Sequence, residues 1–319
     1  MGLDRAGCGV IPPLRAAALV VLRGPLGQKS QRASRRRGME RNMGYIVHNQ
    51  RQYVDGDGLD SRLLYVVTPA ETVAGPAPRG GWPLVVYIHG GGWEQGNFRR
   101  GEEMDVMARP IFPAMLSAGY ALAFVNYRLT GEAQWPAQIL DCKAAIRYLR
   151  AHAGEWDVNP DRIAVYGSSS GGHLCQFLGV TDGDARYEDP SMGCAGASSR
   201  VSAVISSYGI SDLTAWRKMN DHDFMVGFLG AGYTREQAWD ASPIAHVDGS
   251  AAPMLLAHAQ NDGLVNWDMT PVMERAVRCA IGDGKVVSWY PAYGGHGSDE
   301  VFQSPLAITL YIGFLARFV

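Results

Sequence analysis

The sequence predicts an α/β fold, a mostly parallel central sheet covered by helices on both faces, and three observations carry that prediction. From about residue 44, runs rich in Val, Ile and Tyr alternate with amphipathic stretches, the order that builds a parallel sheet with helices on either side. One run, Leu84 to His89, is continuously apolar, as a strand covered on both faces must be. Another, Ile163 to Tyr166, leads straight into a Gly/Ser turn and then an apolar helix. By length the 319 residues have room for two average domains, yet folds of this kind and size close as one. The expected organisation is therefore a basic segment, 1–43, followed by one domain, 44–319, with a small lid insertion.

Taken in order, Tyr45 to Val54 and Arg62 to Val67 read as opening strands, antiparallel in expectation, separated by the turn signal Asp55-Gly56-Asp57-Gly58. A Pro/Gly-rich loop, Ala74 to Trp82, leads into the apolar strand Leu84 to His89, which ends in three glycines. A helix around Met104 to Ala118, a strand Ala121 to Tyr127 and a helix from Pro136 to about Ala153 follow, Pro136 being suited to a first helical turn. Next come the strand Ile163 to Tyr166 and a helix beginning at His173 and Leu174. Val201 to Tyr208 and Pro253 to His258 are two further strands. Between them, Asp212 to Ala245 mixes helical patches with Trp, Phe and Met and is expected to form the lid. Val286 to Tyr290 is the last strand, a Gly-rich loop carries His296, and Phe302 to Phe318 is an apolar closing helix.

Composition narrows the function classes. The formal charge is −2, but residues 1–41 hold eight Arg and Lys29 against Asp4 and Glu40, a net of +7, leaving the remainder near −9. An acidic body lacks the basic face that phosphate binding needs, so nucleic acid is not the expected partner. The apolar run Ala16 to Leu22 is short, bracketed by Arg15 and Arg23, and has no small-residue cleavage site, so a signal peptide is not expected. Residues 1–43 read as a disordered basic tail, or as upstream sequence ahead of a start at Met39 or Met43. No apolar run approaches the ~20 residues of a membrane span. Five scattered cysteines, Cys8, Cys142, Cys175, Cys194 and Cys279, show neither C-x-x-C pairs nor metal-ligand spacing and read as reduced thiols of a cytoplasmic protein, with no metal site.

A serine hydroxyl is a poor nucleophile unless it is presented beside a base. Gly167-Ser168-Ser169-Ser170-Gly171 stands between a strand and a helix, the G-x-S-x-G context of an α/β-hydrolase nucleophile. Only Ser169 has Gly at both the minus-two and plus-two positions; Ser168 and Ser170 are the weaker candidates. A tetrahedral oxyanion needs preorganised donors, and His89-Gly90-Gly91-Gly92-Trp93, directly after a buried strand, offers them. Gly91 and Gly92 are assigned to the oxyanion hole, joined by the Ser170 N–H. His89 reads as holding the turn. In this fold the acid and then the base follow the nucleophile. His296, in Gly294-Gly295-His296-Gly297, fits the last place: His48 and His152 come too early, His222 and His246 precede the acid, His258 lies in its strand, and His173 is carried along the elbow helix away from the hydroxyl. For the acid, Asp262 follows a strand at the sheet's carboxyl edge, with Asp212 as the alternative.

These landmarks, with Asn126-Tyr127-Arg128-Leu129, Trp135-Pro136-Ala137-Gln138 leading to Asp141, and Asn159-Pro160-Asp161-Arg162, give a chain that resembles the acetyl-esterase and hormone-sensitive-lipase-like carboxylesterases. Within these it is most similar to a bacterial branch of feruloyl-esterase-like and kynurenine-formamidase-like hydrolases. The likeness runs from about Leu64 onward. It implies an α/β-hydrolase fold, a triad of Ser169, Asp262 and His296, an oxyanion hole from the glycines and Ser170, and no cofactor. Two positions depart from the family pattern: Ser170 replaces the usual Ala and would put a hydroxyl at the acyl pocket, and Asn126 stands where Asp is frequent.

The expected activity is hydrolysis of small or aryl carboxylic esters through an acyl-enzyme, with a small-molecule ester as partner and a homo-oligomer left open. An amidase or formamidase would use the same triad, and a non-catalytic ligand binder of this fold would lack part of it. Trp93, Trp135, Trp216, Phe224, Met225 and Phe228 read as core rather than as pocket lining.

Overall fold

The computed structural model describes residues 44–56, 58–98, 106–216 and 223–319. The expectations for residues 1–43, for a helix start at Met104 and for His222 lie outside them. Strands β1 (Tyr45–Val47) and β2 (Arg51–Gln52) both pair antiparallel with β3 (Leu63–Pro69), which is itself antiparallel to β5 (Ala121–Val125). From there every pairing is parallel, through β4 (Trp82–Ile88), β6 (Val158–Ser168), β7 (Ala203–Ser207), β8 (Met254–Ala257) and β9 (Val286–Trp289). The nine strands form one sheet in the order β1-β3-β5-β4-β6-β7-β8-β9, with β2 attached to β3. This is the α/β-hydrolase fold.

Strand period places alternate side chains on opposite faces, and β4 shows why its run had to be apolar throughout. Leu84, Val86 and Ile88 pack into one core with Ile139, Leu149, Leu174, Phe177 and Val277. Val85 and Tyr87 pack into the other with Phe112, Tyr311 and Phe314. Helices α3 (Ala137–Ala151), α4 (Ser170–Val180) and α7 (Met269–Ile281) thus cover one face, and α2 (Ile111–Ser117) and α9 (Pro305–Phe318) the other. A single turn, α1 (Glu71–Ala74), precedes β4. Between β7 and β8 lie the short helices α5 (Phe224–Leu229) and α6 (Arg235–Asp240).

Several boundaries differ from expectation for physical reasons. The stretch expected as one opening strand is two, β1 and β2, and beyond them Tyr53 buries its ring and donates its hydroxyl to Asn126 O at 2.8 Å. Strand β6 starts at Val158, pairing with Trp82 across a register shift before Leu84, where Pro83 has no N–H to give the ladder. The elbow helix starts at Ser170, three residues earlier than expected, because the whole turn is made by Ser169 alone. The closing helix is two pieces, α8 (Asp299–Phe302) and α9. Ser304 accepts from Ala307 N and Pro305 occupies the first turn, a fresh helix start. Helix α7 was not anticipated. Its stripe Met269, Met273 and Val277 is buried at helical spacing, but Pro271 obscured it.

Candidate active site

Ser169 stands between β6 and α4 at φ 55°, ψ −125°, a left-handed conformation that costs a non-glycine residue about 1–3 kcal/mol. The flanking glycines make this turn sterically feasible. A Cβ at 167 would lie 2.3 Å from Gly171 O, and one at 171 would lie 2.1 Å from Ile88 O. The strained residue is pinned by its own backbone, since Ser169 N donates to Ser207 O and His173 N to Ser169 O, both at 3.0 Å. The result is a hydroxyl held at the carboxyl edge of the sheet.

Two loops from the same edge meet it. His296, between β9 and α8, brings Nε2 to 3.0 Å from Ser169 Oγ and Nδ1 to 2.8 Å from Asp262 Oδ2. Asp262, just after β8, has a fully buried side chain. A carboxylate only accepts, so His296 donates from Nδ1 and its Nε2 lone pair faces the serine hydroxyl. The other oxygen, Oδ1, accepts from Leu264 N at 2.8 Å and Val265 N at 2.9 Å. Burial disfavours the Asp262 anion. Hydrogen bonds from His258 and His296, the field of His296 and the Val265 N–H more than offset that, and hold the carboxyl well below the usual range. The His296 loop is fastened by Gly295 N to Asn261 Oδ1 at 2.9 Å and by the Tyr208 ring, edge-on to the imidazole at 4.9 Å.

The glycine loop after β4 faces the same space. Gly91 and Gly92 have φ of 121° and 64°, and among the described residues no acceptor takes the N–H of either, nor that of Ser170 at the first turn of α4. Gly92 also makes room: a Cβ there would meet the Phe224 ring at 2.5 Å. Asn126, the departure from the family pattern, ties down the loop's far end by accepting from Phe98 N at 2.8 Å and donating to Asp60 O at 3.1 Å. An aspartate would do only the first. Ser169, His296, Gly91 and Gly92 line a cavity of about 280 Å³, closed on one side by Trp216, Phe224, Ile210 and Val265.

Residues 74–277 match the family model described as BD-FAE, about two thirds of the chain. The chain belongs to the BD-FAE family. This BD-FAE chain is 33% identical over 192 residues to a probable carboxylic ester hydrolase, LipM, of Mycobacterium tuberculosis, covering 57% of this chain and 42% of that protein. It is 28% identical over 270 residues to the esterase LipQ of the same organism, covering 80% and 60%. It therefore spans roughly half the length of these curated relatives. A truncated form of a carbohydrate esterase from gut microbiota superposes with a TM-score of 0.72 at 27% identity, covering 85% of this chain and 95% of that one.

Of the residues singled out from the BD-FAE sequence, the fold brings Ser169, His296, Asp262, Gly91 and Gly92 to one place. Ser170 supplies backbone there, but its side chain is fully buried and outside the cavity, so the hydroxyl expected at the acyl pocket is turned away. Asp212 caps a turn, accepting from Thr214 N and Ala215 N. His173 is buried with Nε2 on Ala241 O at 2.8 Å, and burial, partly offset by that bond, lowers its pKa to about 4. The aromatic expectation divides. Trp216 and Phe224 line the cavity, contrary to the core reading, because the segment after β7 folds back over the glycine loop, whereas Trp93, which also borders the cavity, is buried in the core against the Phe228 ring. Met225 and Phe228 are core. The residue that sequence reasoning passed over is His258, whose Nε2 lies 3.1 Å from Asp262 Oδ2 and whose Nδ1 lies 2.7 Å from Thr270 Oγ1. Its four-residue spacing to Asp262 was the available signal. Among the described residues no three His, Cys, Asp or Glu side chains converge as metal ligands, and no helix is long and apolar enough to cross a membrane.

Proposed function

We propose that this chain is a serine carboxylesterase acting on small or aryl esters. The observation that carries the reading is the continuous hydrogen-bonded chain from Ser169 Oγ through His296 to Asp262, at 3.0 and 2.8 Å, on the wall of a cavity. In this mechanism His296 Nε2 takes the hydroxyl proton as Ser169 Oγ attacks the ester carbonyl, and the buried Asp262 carboxylate stabilises the imidazolium that forms. The N–H groups of Gly91, Gly92 and Ser170 receive the tetrahedral oxyanion. His296 then passes the proton to the departing alcohol, leaving an acyl-Ser169, and deacylation repeats the sequence with water in place of the alcohol. The esterases among its relatives and a carbohydrate esterase at 27% identity support ester over amide chemistry. A cytoplasmic location, supported by the free thiols of Cys142, Cys175, Cys194 and Cys279, is part of this proposal and is tested by fractionation.

Release of p-nitrophenol from acetyl to hexanoyl esters by the purified protein, beside a folded Ser169→Ala variant, decides the activity. Turnover by the parent that the variant loses establishes it. If the parent turns over formamides and no ester, the reaction is that of an amidase with the same triad. Absence of both overturns the hydrolase reading.

A further inference from the structure

We propose that Arg109 makes the cavity a site for esters that carry a second, anionic group, a carboxylate on either the acyl or the alcohol part. This rests on the hydrolase reading above and names its substrate class.

Arg109 lies between the turn Val106–Ala108 and helix α2, and it lines the cavity that holds Ser169 and His296. Among the described residues it is the one Lys, Arg, Asp or Glu side chain in that lining. Its sole hydrogen bond among the described residues is donated from Nη1 to the Tyr87 hydroxyl at 3.1 Å, and it forms no ion pair there. Asp299 acts on it electrostatically without reaching ion-pair distance. A guanidinium carries five N–H donors in a planar fork that matches a carboxylate in two-point geometry. Elsewhere a half-buried guanidinium of this chain shows that geometry: Arg128 gives Nε and Nη2 to the two oxygens of Asp141. Among the described residues of the cavity lining, Arg109 alone carries such a fork.

The surroundings fit a carboxylate. Tyr87, itself buried, accepts from Arg109 and retains a hydroxyl proton to donate. Asn97 and Tyr208 line the same cavity, whereas Trp216, Phe224 and Val265 supply its apolar wall. An ester lying across the cavity then has its carbonyl at the glycine loop, its hydrocarbon against the aromatic wall and its anion at Arg109. An uncharged ester leaves the guanidinium partly desolvated without a counter-charge, so the cavity discriminates by charge as well as by size.

The test compares matched pairs of esters. For the acyl side, p-nitrophenyl hydrogen glutarate is measured against its methyl ester; for the alcohol side, 4-acetoxybenzoate against methyl 4-acetoxybenzoate. The quantity read is the ratio of kcat/KM, anionic over neutral, in wild type, Arg109→Gln and Arg109→Lys. The expected result is a ratio in favour of the anion in at least one pair, which also identifies the side that bears the carboxylate. Arg109→Gln lowers that ratio about tenfold or more, the worth of a charge-assisted hydrogen bond, and Arg109→Lys restores part of it. In wild type the ratio also falls as NaCl rises, which needs no variant to fold. A wild-type ratio at or below one in both pairs, or the same ratio in Arg109→Gln, overturns the inference while neutral-ester turnover leaves the esterase reading standing. Absence of turnover on every ester overturns both.

Discussion

Two buried aspartates in this molecule are equally well satisfied and differently employed. Asp141 on α3 and Asp262 after β8 both have side chains shut off from solvent, and each accepts four hydrogen bonds. Around Asp141 the donors are Arg62 Nε and the backbone and guanidinium of Arg128. Around Asp262 they are two imidazoles and two backbone N–H groups. Arginine is charged at every working pH, so the field of Asp141 is already cancelled and holds β3, the Tyr-Arg turn and α3 together. An imidazole acquires full charge only when it gains a second proton, so Asp262 keeps a field to offer at the moment His296 takes one. The lesson is that burial and hydrogen-bond count do not separate a structural carboxylate from a reactive one. The identity of the donors does.

Substitutions sharpen this contrast. The largest effect is expected at the nucleophile and its acid: Ser169→Ala lowers kcat by ~10⁴-fold or more with a melting temperature close to wild type, and Asp262→Asn lowers it by ~10²–10⁴-fold. Asp141→Asn should do the reverse, losing about 3 kcal/mol of stability in urea unfolding because two half-buried guanidinia lose their buried anion, while the folded fraction keeps its kcat. A loss of turnover in Asp141→Asn with unchanged stability would break the contrast. Acid behaviour follows from the same chemistry. The Asp262 carboxyl is held below its ordinary value, near 3.9 when unfolded. Its stabilising contribution is therefore complete above that value and is lost as pH falls through the lower, folded one. Wild type should lose more melting temperature between pH 5 and pH 3 than Asp262→Asn does. The smallest change is expected at His258. His258→Leu removes one donor from the charged Asp262 and should cost about ten- to a hundredfold in kcat with KM little altered, and His258→Gln, which retains a donor, should recover part of it.

Much of this was legible before any coordinates. Strand β4 announced itself because a strand covered on both faces has no room for polar residues, and Ser169, Asp262 and His296 because each follows a strand at the sheet edge where chain order restricts the choices. What escaped has specific causes. Helix α7 carries a proline in its first turn, which reads as a break although a first turn tolerates it. His258 looked like an ordinary strand residue, since its partnership with Asp262 depends on the loop doubling back. Trp216 and Phe224 were read as core because an aromatic side chain over a cavity and one inside a core have the same spacing in sequence. Arg109 gave no signal at all, being separated from Tyr87 by 22 positions.

Around the elbow, backbone rests on backbone, with Gly171 against the Ile88 and His89 carbonyls and Gly167 against Gly171 and the Cys175 sulfur. Such a joint has almost no rotamers to exchange, so the nucleophile cannot drift without the sheet itself deforming, whereas the wall opposite is built of side chains on short helices. Selection for a new substrate therefore has an asymmetric field to work in: changes at Ile210, Trp216, Phe224 or Arg109 reshape what enters, and changes at the elbow only remove the reaction.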